Sequence, residues 1–364
     1  MTDLLVVGGG PGGLATAIRA RLAGLDARVV DRARPPIDKA CGEGLMPDAV
    51  ARLREIGVEP RGLPLRGIRY VDGDLAAEGH FPGFGGLGVR RTELHAGLVR
   101  RAEETGVDLR WGVKAEGLTA EGIQTDQGTF AARWIVGADG LRSQVRTWAG
   151  LDGGPSPLRR FGVRRHFAVT PWSDCVEVHW GPACEAYVTP VAGGEVGVAM
   201  LWSGRKADFD GLLESFPALQ EKVAGAAVTS RDRGTGPLQQ RVRAVFKDRV
   251  ALVGDAAGYL DAITGEGLAV TLHESAALVA ALVAGDLAPY AAAHRRINRL
   301  PNFMTSLVLA LERRPRLRRR ALRALAAEPV LFARLLGIHA RTLPPRGLGF
   351  EGALRLAGRM MNGG

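Results

Sequence analysis

The sequence predicts an α/β fold: a domain founded on a βαβ unit, interrupted by an inserted, mostly antiparallel β-sheet and followed by a helical C-terminal region. Three observations carry this. The chain opens as strand, glycine-rich turn, helix and strand; residues 154–245 change to short alternating runs broken by Pro and Gly; and a second buried strand then returns, with a polar loop and a long helix behind it.

Each element follows from local pattern. Leu4–Val7 are continuously apolar, as in a buried parallel strand; Leu14–Leu22 fit a helix that Gly24 can end; Ala27–Val30 make the next strand. Further helices are expected over Pro47–Ile56 and Arg91–Gly106, with strands around Val107–Val113 and Phe130–Val136. FGVRRHFAV, CVEVHW, EAYVTPV and EVGVAML supply the strands of the inserted sheet. Pro301, Pro315 and Pro329 punctuate the helical end. The expected divisions are 1–153 and 246–285 for the first domain, 154–245 for the insert and 286–364 for the helical region.

Composition bounds the function. The chain has 364 residues, 46% hydrophobic and 24% charged, with 50 Gly and 20 Pro. Disordered chains are poorer in apolar side chains and collagen-like ones have strict glycine periodicity, so both classes are excluded, and this length suits two joined domains. Cys41, Cys175 and Cys184 show no C-x-x-C spacing, and neither an HExxH metal site nor a serine triad is visible. No metal is therefore expected, and the setting reads as reducing and cytoplasmic. No secretion signal is expected from the opening residues, and the apolar run at Leu307 stops at Glu312, short of the ~20 residues a bilayer span needs. The net charge is +10, and its surplus lies in the tail, where 15 Lys or Arg face 3 acids from residue 295 onward. Arg313–Arg320 reads as a solvated helix face or a peripheral contact with anionic lipid; a nucleic-acid partner is not expected.

VVGGGPGGLATA places Gly8, Gly10 and Gly13 in the G-x-G-x-x-G pattern, with Gly12 in the same loop. The first glycine permits a tight turn, the second lets backbone approach a pyrophosphate, and the third lets helix and strand pack closely, while the helix N-terminus offers N–H groups to the anion. Asp31 ends the second strand, where its carboxylate suits an unphosphorylated ribose, and Arg32 follows it in the candidate cofactor set. The same spacing at Gly83, Gly85 and Gly88 lacks βαβ context and reads as a loop.

Two later segments, IVGADGLRSQVR with Asp139 and RVALVGDAAGYLDAITGEGL with Gly254 and Asp255, complete a resemblance. With the N-terminal glycines they resemble the three signatures of FAD-dependent aromatic hydroxylases and their relatives, the geranylgeranyl reductases. The resemblance implies a Rossmann-like FAD-binding domain, with Asp139 near the FAD and a passing nicotinamide, and Arg91 near the flavin chain. Asp255 can accept hydrogen bonds from the ribityl chain. Gly265, Glu266, Gly267 and Leu268 begin a helix whose positive end could face the flavin pyrimidine. NAD(P)H would then be a transient reductant, with no domain of its own.

KACGEGLMP resembles the Cys-Gly-Glu-Gly segment of the reductases, and Gly258 and Glu266 stand where typical hydroxylases have His and Gln. Cys41 and Gly42 are thus cofactor-facing candidates, with the Cys41 thiol as a proton donor or packing element, and Glu43 orients the loop. In the insert, Arg164, His166, Glu177, His179 and Tyr187 alternate with apolar residues, and Cys41, His166 and His179 are the catalytic candidates. The first expectation is an NAD(P)H- and dioxygen-dependent monooxygenase acting on a hydrophobic phenolic or polyketide-type molecule. The alternatives are a geranylgeranyl-reductase-like reductase of carbon–carbon double bonds, and a membrane- or nucleic-acid-binding module with a structural flavin.

Overall fold

A computed structural model describes residues 2–362 except 84, 157, 205 and 206. Its first sheet is eight-stranded, and its main path runs Phe246–Lys247, Val250–Leu252, Gly128–Gly137, Thr2–Val7, Ala27–Asp31 and Asp108–Trp111. Every neighbouring pair on that path is parallel except the first. Leu4, Leu5 and Val6 are all buried, the pattern expected of a central strand covered on both faces. The first helix, Pro11–Leu22, begins with Pro at its permitted position and stops before Gly24, whose φ of 85° lies in the left-handed region.

The second sheet runs Ala227–Val228, Arg160–Ala168, Glu195–Ser203, Cys184–Val191, Cys175–Trp180, Gly67–Asp72 and Leu75–His80. Its pairs are antiparallel except that Cys175–Trp180 lies parallel to Gly67–Asp72, with Cys175 opposite Gly67. The sheet therefore differs from the expected insert: residues 67–80, grouped by sequence with the first domain, belong to it. The glycine-rich stretch expected to be a loop also contains a strand, Gly86–Gly88, which pairs with Gly44–Leu45 and Leu63–Leu65 in a small third sheet.

The helical C-terminal region is present, with two departures. Ala288–Glu312 is one helix that continues through Pro301. Proline cannot donate to the carbonyl four residues back, and here the Arg341 guanidinium takes that place, 2.7 Å from Ile297 O. The arginine run is also not wholly solvated. Arg318 is buried, with Nε 2.8 Å from Asp72 Oδ2 and its guanidinium over the Trp180 ring, and Arg319 reaches Asp72 O at 2.8 Å. The helix Pro315–Ala327 is thereby fastened to the hairpin 67–80. The helix Gly267–Ala284 is long and apolar enough to cross a membrane by length and composition, but half of it is buried, and its Thr271 packs where a Cβ on Gly12 would sit.

Arg318→Ala removes the nearer cation from the buried Asp72 and leaves only Arg319, 3.8 Å from Oδ1, so a loss of about 2 kcal/mol in stability is expected. Denaturant unfolding measures it; a loss under about 0.5 kcal/mol, as for an exposed pair, would show that the contact does not hold the helix.

Candidate active site

The glycine loop is held by contacts that leave no room for side chains. A Cβ on Gly13 would lie 1.9 Å from Gly8 O, and one on Gly8, whose φ is 112°, would lie 2.4 Å from Ala138 O. Gly9, unremarked in the sequence, is equally constrained, since its Cβ would meet the Trp111 ring at 2.2 Å. His95 secures the loop from the Arg91–Glu104 helix. Its Nε2 donates to Gly9 O at 2.8 Å while Nδ1 accepts from Ile37 N–H at 3.4 Å, and burial keeps its pKa below the usual imidazole range. No side chain caps the helix that begins at Gly10, so its first-turn N–H groups stay available to an anion.

Asp31 stands at the strand end where the sequence placed it. Its Oδ2 accepts from Gly9 N–H at 2.7 Å and its Oδ1 from Ala33 N–H at 2.8 Å, so the carboxylate braces the glycine loop. Arg32 beside it is exposed. Asp139 Oδ2 accepts from Gln144 N–H at 2.7 Å and Val145 N–H at 3.2 Å, which caps the following short helix, Gln144–Trp148.

The segment Asp38–Glu43 is fastened almost entirely by the second sheet. Asp38 pairs with Arg164 and with Arg233; Arg164 also donates to Lys39 O at 3.2 Å, and Thr189 Oγ1 donates to Gly42 O at 2.7 Å. Glu43 is buried at φ 60°, with Oε1 accepting from Arg91 N–H at 2.8 Å and Oε2 2.5 Å from His166 Nε2. The result presents Cys41, whose Sγ accepts from Glu43 N–H at 3.4 Å. Burial raises the thiol pKa, only partly offset by the Arg91 charge, so the group stays protonated at neutral pH.

These segments converge on a cavity of about 300 Å³ lined by Gly10, Gly12, Cys41, Gly42, Arg91, Gly254, Asp255, Gly265, Gly267 and Leu268 among others. Asp255 sits on its wall, with burial raising its carboxyl pKa against the opposing charges of Arg91 and Lys39. Beyond Cys41 the wall turns apolar, with Met46, Leu65, Ile68, Val176, Val178 and Leu201. Gly8 and Gly13 pack behind it.

Asp31, Arg32 and Asp139 do not line this cavity, and three further candidates fall elsewhere. His166 is fully buried against Glu43, Arg164 and Ser230, and holds the Cys41 loop instead of facing a ligand. His179 points to Glu177, 3.0 Å away, and likewise does not line the cavity. Glu266 turns its side chain to His339, 3.3 Å away, although Gly265 and Gly267 on either side do line it. Conversely, Tyr70 and Tyr259 line the cavity and sequence reasoning missed them. Tyr259 lies inside a recognised motif, whereas Tyr70 lies in the hairpin assigned to the other domain. Tyr187, which the sequence did single out, lines it too and donates to Ile263 O at 2.8 Å.

The residues fit FAD. Arg91 Nε is buried on the wall without a hydrogen-bond partner, as is Asp139 Oδ1 between the lining residues Ala138 and Gly140, and the glycine cradle adjoins a helix N-terminus that no side chain caps. Gly13→Ala should therefore displace the loop and yield protein that loses flavin colour on gel filtration; full retention would contradict the packing described. Iodoacetamide should label Cys41 slowly at neutral pH and faster only above the usual thiol range, whereas brisk neutral labelling would mean an ionised sulfur.

The profile of a family described as an FAD binding domain matches residues 1–207. Menaquinone reductase of Mycobacterium tuberculosis (strain H37Rv) is 30% identical over 328 residues, covering 79% of this chain and 78% of its own. Digeranylgeranylglycerophospholipid reductase 2 of Methanopyrus kandleri is 27% identical, covering 79% and 76%. The 3-(3-hydroxy-phenyl)propionate/3-hydroxycinnamic acid hydroxylase of Mycobacterium sp. (strain JLS) is 34% identical over only 43% of this chain and 31% of its own. Among solved structures, a flavoprotein/dehydrogenase of Cytophaga hutchinsonii superposes over 100% of both chains with a TM-score of 0.83 at 17% identity, a likeness of fold. By the extent of these matches, the chain belongs to the FAD binding domain family and is an FAD-dependent oxidoreductase.

Proposed function

We propose that the protein is an FAD-dependent reductase that adds hydrogen across a carbon–carbon double bond of a hydrophobic, isoprenoid-type molecule. The observation that carries this is the chemistry of the cavity wall beside the apolar compartment. It offers proton donors, the Cys41 thiol and the Tyr70 phenol, both with pKa values raised by burial. A hydroxylase acting on a phenol gains from a base that takes the phenolic proton, and both histidines considered for that task are turned away from the cavity.

FAD, when bound, supplies the hydride. Gly10, Gly12 and Arg91 would hold its phosphates and Asp255 its ribityl chain, while the start of the Gly267–Ala284 helix offers positive potential where reduction leaves negative charge. The apolar wall binds the substrate and excludes water. Cys41 delivers the proton to the carbon opposite the one that receives hydride and becomes a thiolate that must be reprotonated. NAD(P)H is the proposed electron source.

This reverses the order that the sequence suggested. The reductase relatives align over nearly four-fifths of the chain, while the similarity to the hydroxylase stops at 43% of it. Hydroxylation remains the second reading, because that shorter match is the higher in identity.

Incubation of the reduced holoenzyme with polyprenyl lipids or prenylated quinones, read by mass, separates the two. Two added hydrogens without air are expected; one added oxygen, formed only in air, would establish the hydroxylase. Cys41→Ala should lower turnover about 100-fold, in the range of a lost general acid, with flavin retained. Unimpaired turnover would remove the thiol from the mechanism.

A further inference from the structure

The helix Ala288–Glu312 distributes its side chains in an unusual way. In its middle the inward side is polar: His294, Asn298 and Thr305 line a second cavity of about 290 Å³, and Asn298 Nδ2 donates to the buried Glu274 Oε1 at 2.8 Å. The outward side carries large apolar groups. Phe303 is 63% exposed and Leu307 45% exposed, although a helix on a globular body normally turns such side chains inward.

Arginines frame these two side chains. Arg296, Arg299, Phe303 and Leu307 follow one another at spacings of three, four and four residues, which sets all four on one side of the helix, and both arginines are exposed. Arg295, Arg313, Arg314, Arg316 and Arg320 are exposed as well, and none of these seven guanidinium groups meets a carboxylate among the described residues. From residue 287 to residue 327 the single acid is Glu312, which turns inward to Arg160 at 3.6 Å. Of the eight large hydrophobic side chains exposed among the described residues, five lie between residues 303 and 354, so apolar exposure and positive charge coincide in the helical region.

The apolar pair selects among the partners that such a charge attracts. A nucleic acid offers phosphates but no apolar layer for Phe303 and Leu307. A second copy docked through the same face sets arginine against arginine. A bilayer with anionic headgroups supplies both: phosphates that a guanidinium grips through two N–H groups, and below them acyl chains that take up an exposed Phe and Leu.

We infer that the outward face of Ala288–Glu312, with the arginines at the turn into Pro315–Ala327, docks the protein on an anionic lipid surface. Phe303 and Leu307 enter the acyl boundary, and the arginines around them bind headgroup phosphates. By this contact the protein lies on the bilayer. The inward side of the same helix walls the second cavity, which shares Thr264 and Gly267 with the cofactor cavity, so docking holds the reaction site close to the phase in which an isoprenoid-type molecule dissolves. That consequence rests on the reductase reading; the docking itself does not.

Flotation of the full-length holoenzyme with vesicles tests the docking without any substrate. Phosphatidylcholine vesicles enriched in phosphatidylglycerol should carry the protein at low ionic strength, vesicles of phosphatidylcholine alone should carry at least about tenfold less, and salt should release it. The double variants Arg296→Glu with Arg299→Glu and Phe303→Ser with Leu307→Ser should each weaken binding to the anionic vesicles at least about tenfold, with flavin colour retained. No flotation, or flotation that either double variant leaves intact, overturns the inference. So does a dimer in sedimentation that the Phe303→Ser, Leu307→Ser variant separates, or binding of RNA in place of vesicles. Where a lipid double bond is reduced, that same variant should keep its rate on detergent-dispersed substrate and lose it on substrate held in anionic vesicles. Flotation without reduction of any lipid sustains the docking and counts against the reductase reading alone.

Discussion

The carboxylate of Glu43 is the constraint on which the rest of the site depends. It takes the first N–H of the Arg91–Glu104 helix on one oxygen and the His166 ring on the other, so one buried side chain joins the Cys41 loop, a helix of the cofactor domain and a strand of the second sheet. A buried carboxylate is tolerable only when such donors surround it. Its residue accepts a left-handed backbone, φ 60°, to reach both. Arg164 repeats the arrangement two residues before His166 on the same strand face, by holding Asp38 and Lys39. The chemistry of the loop is therefore set by a sheet whose side chains never enter the cavity at these points.

That division of labour explains why polar strand residues mislead. Alternation on the strand Arg160–Ala168 is visible in the sequence, and the residues that face inward are polar, which suggests a ligand. Their actual counterpart is a loop more than a hundred positions earlier, and no local pattern reports it. The same holds for Glu266: the motif is legible, but the partner that turns its side chain aside, His339, comes from the last part of the fold. The glycine loop is legible in the sequence because its constraint is steric and local, with Gly8 and Gly13 in direct contact. The hairpin 67–80 could not, because its membership of the second sheet depends on a parallel pairing with Cys175–Trp180.

The two sheets also divide the physical work of the cavity. The ends of the parallel strands and their glycine turns bring backbone and cation to one side, suited to a phosphate-bearing cofactor at the point where such sheets bind ligands. The pleated faces of the second sheet bring Ile68, Val176, Val178 and Leu201 to the other, a surface that rewards an apolar substrate. Where the two meet, burial raises the pKa of a thiol and several phenols, so these groups hold their protons more firmly than they would in water.

The parallel seam in the second sheet has a consequence for how the chain is made and how it can be exchanged. Gly67 must wait for Cys175, an interval on the order of ten seconds at ordinary ribosomal speeds. During that time the early hairpin presents the edge that carries Ile68 without the strand that later pairs with it. For the same reason the half built on the second sheet is no cassette. A recombination crossover that swapped only the later segment would sever the seam, so diversification of this half must proceed by point substitution or by simultaneous replacement of two distant gene segments.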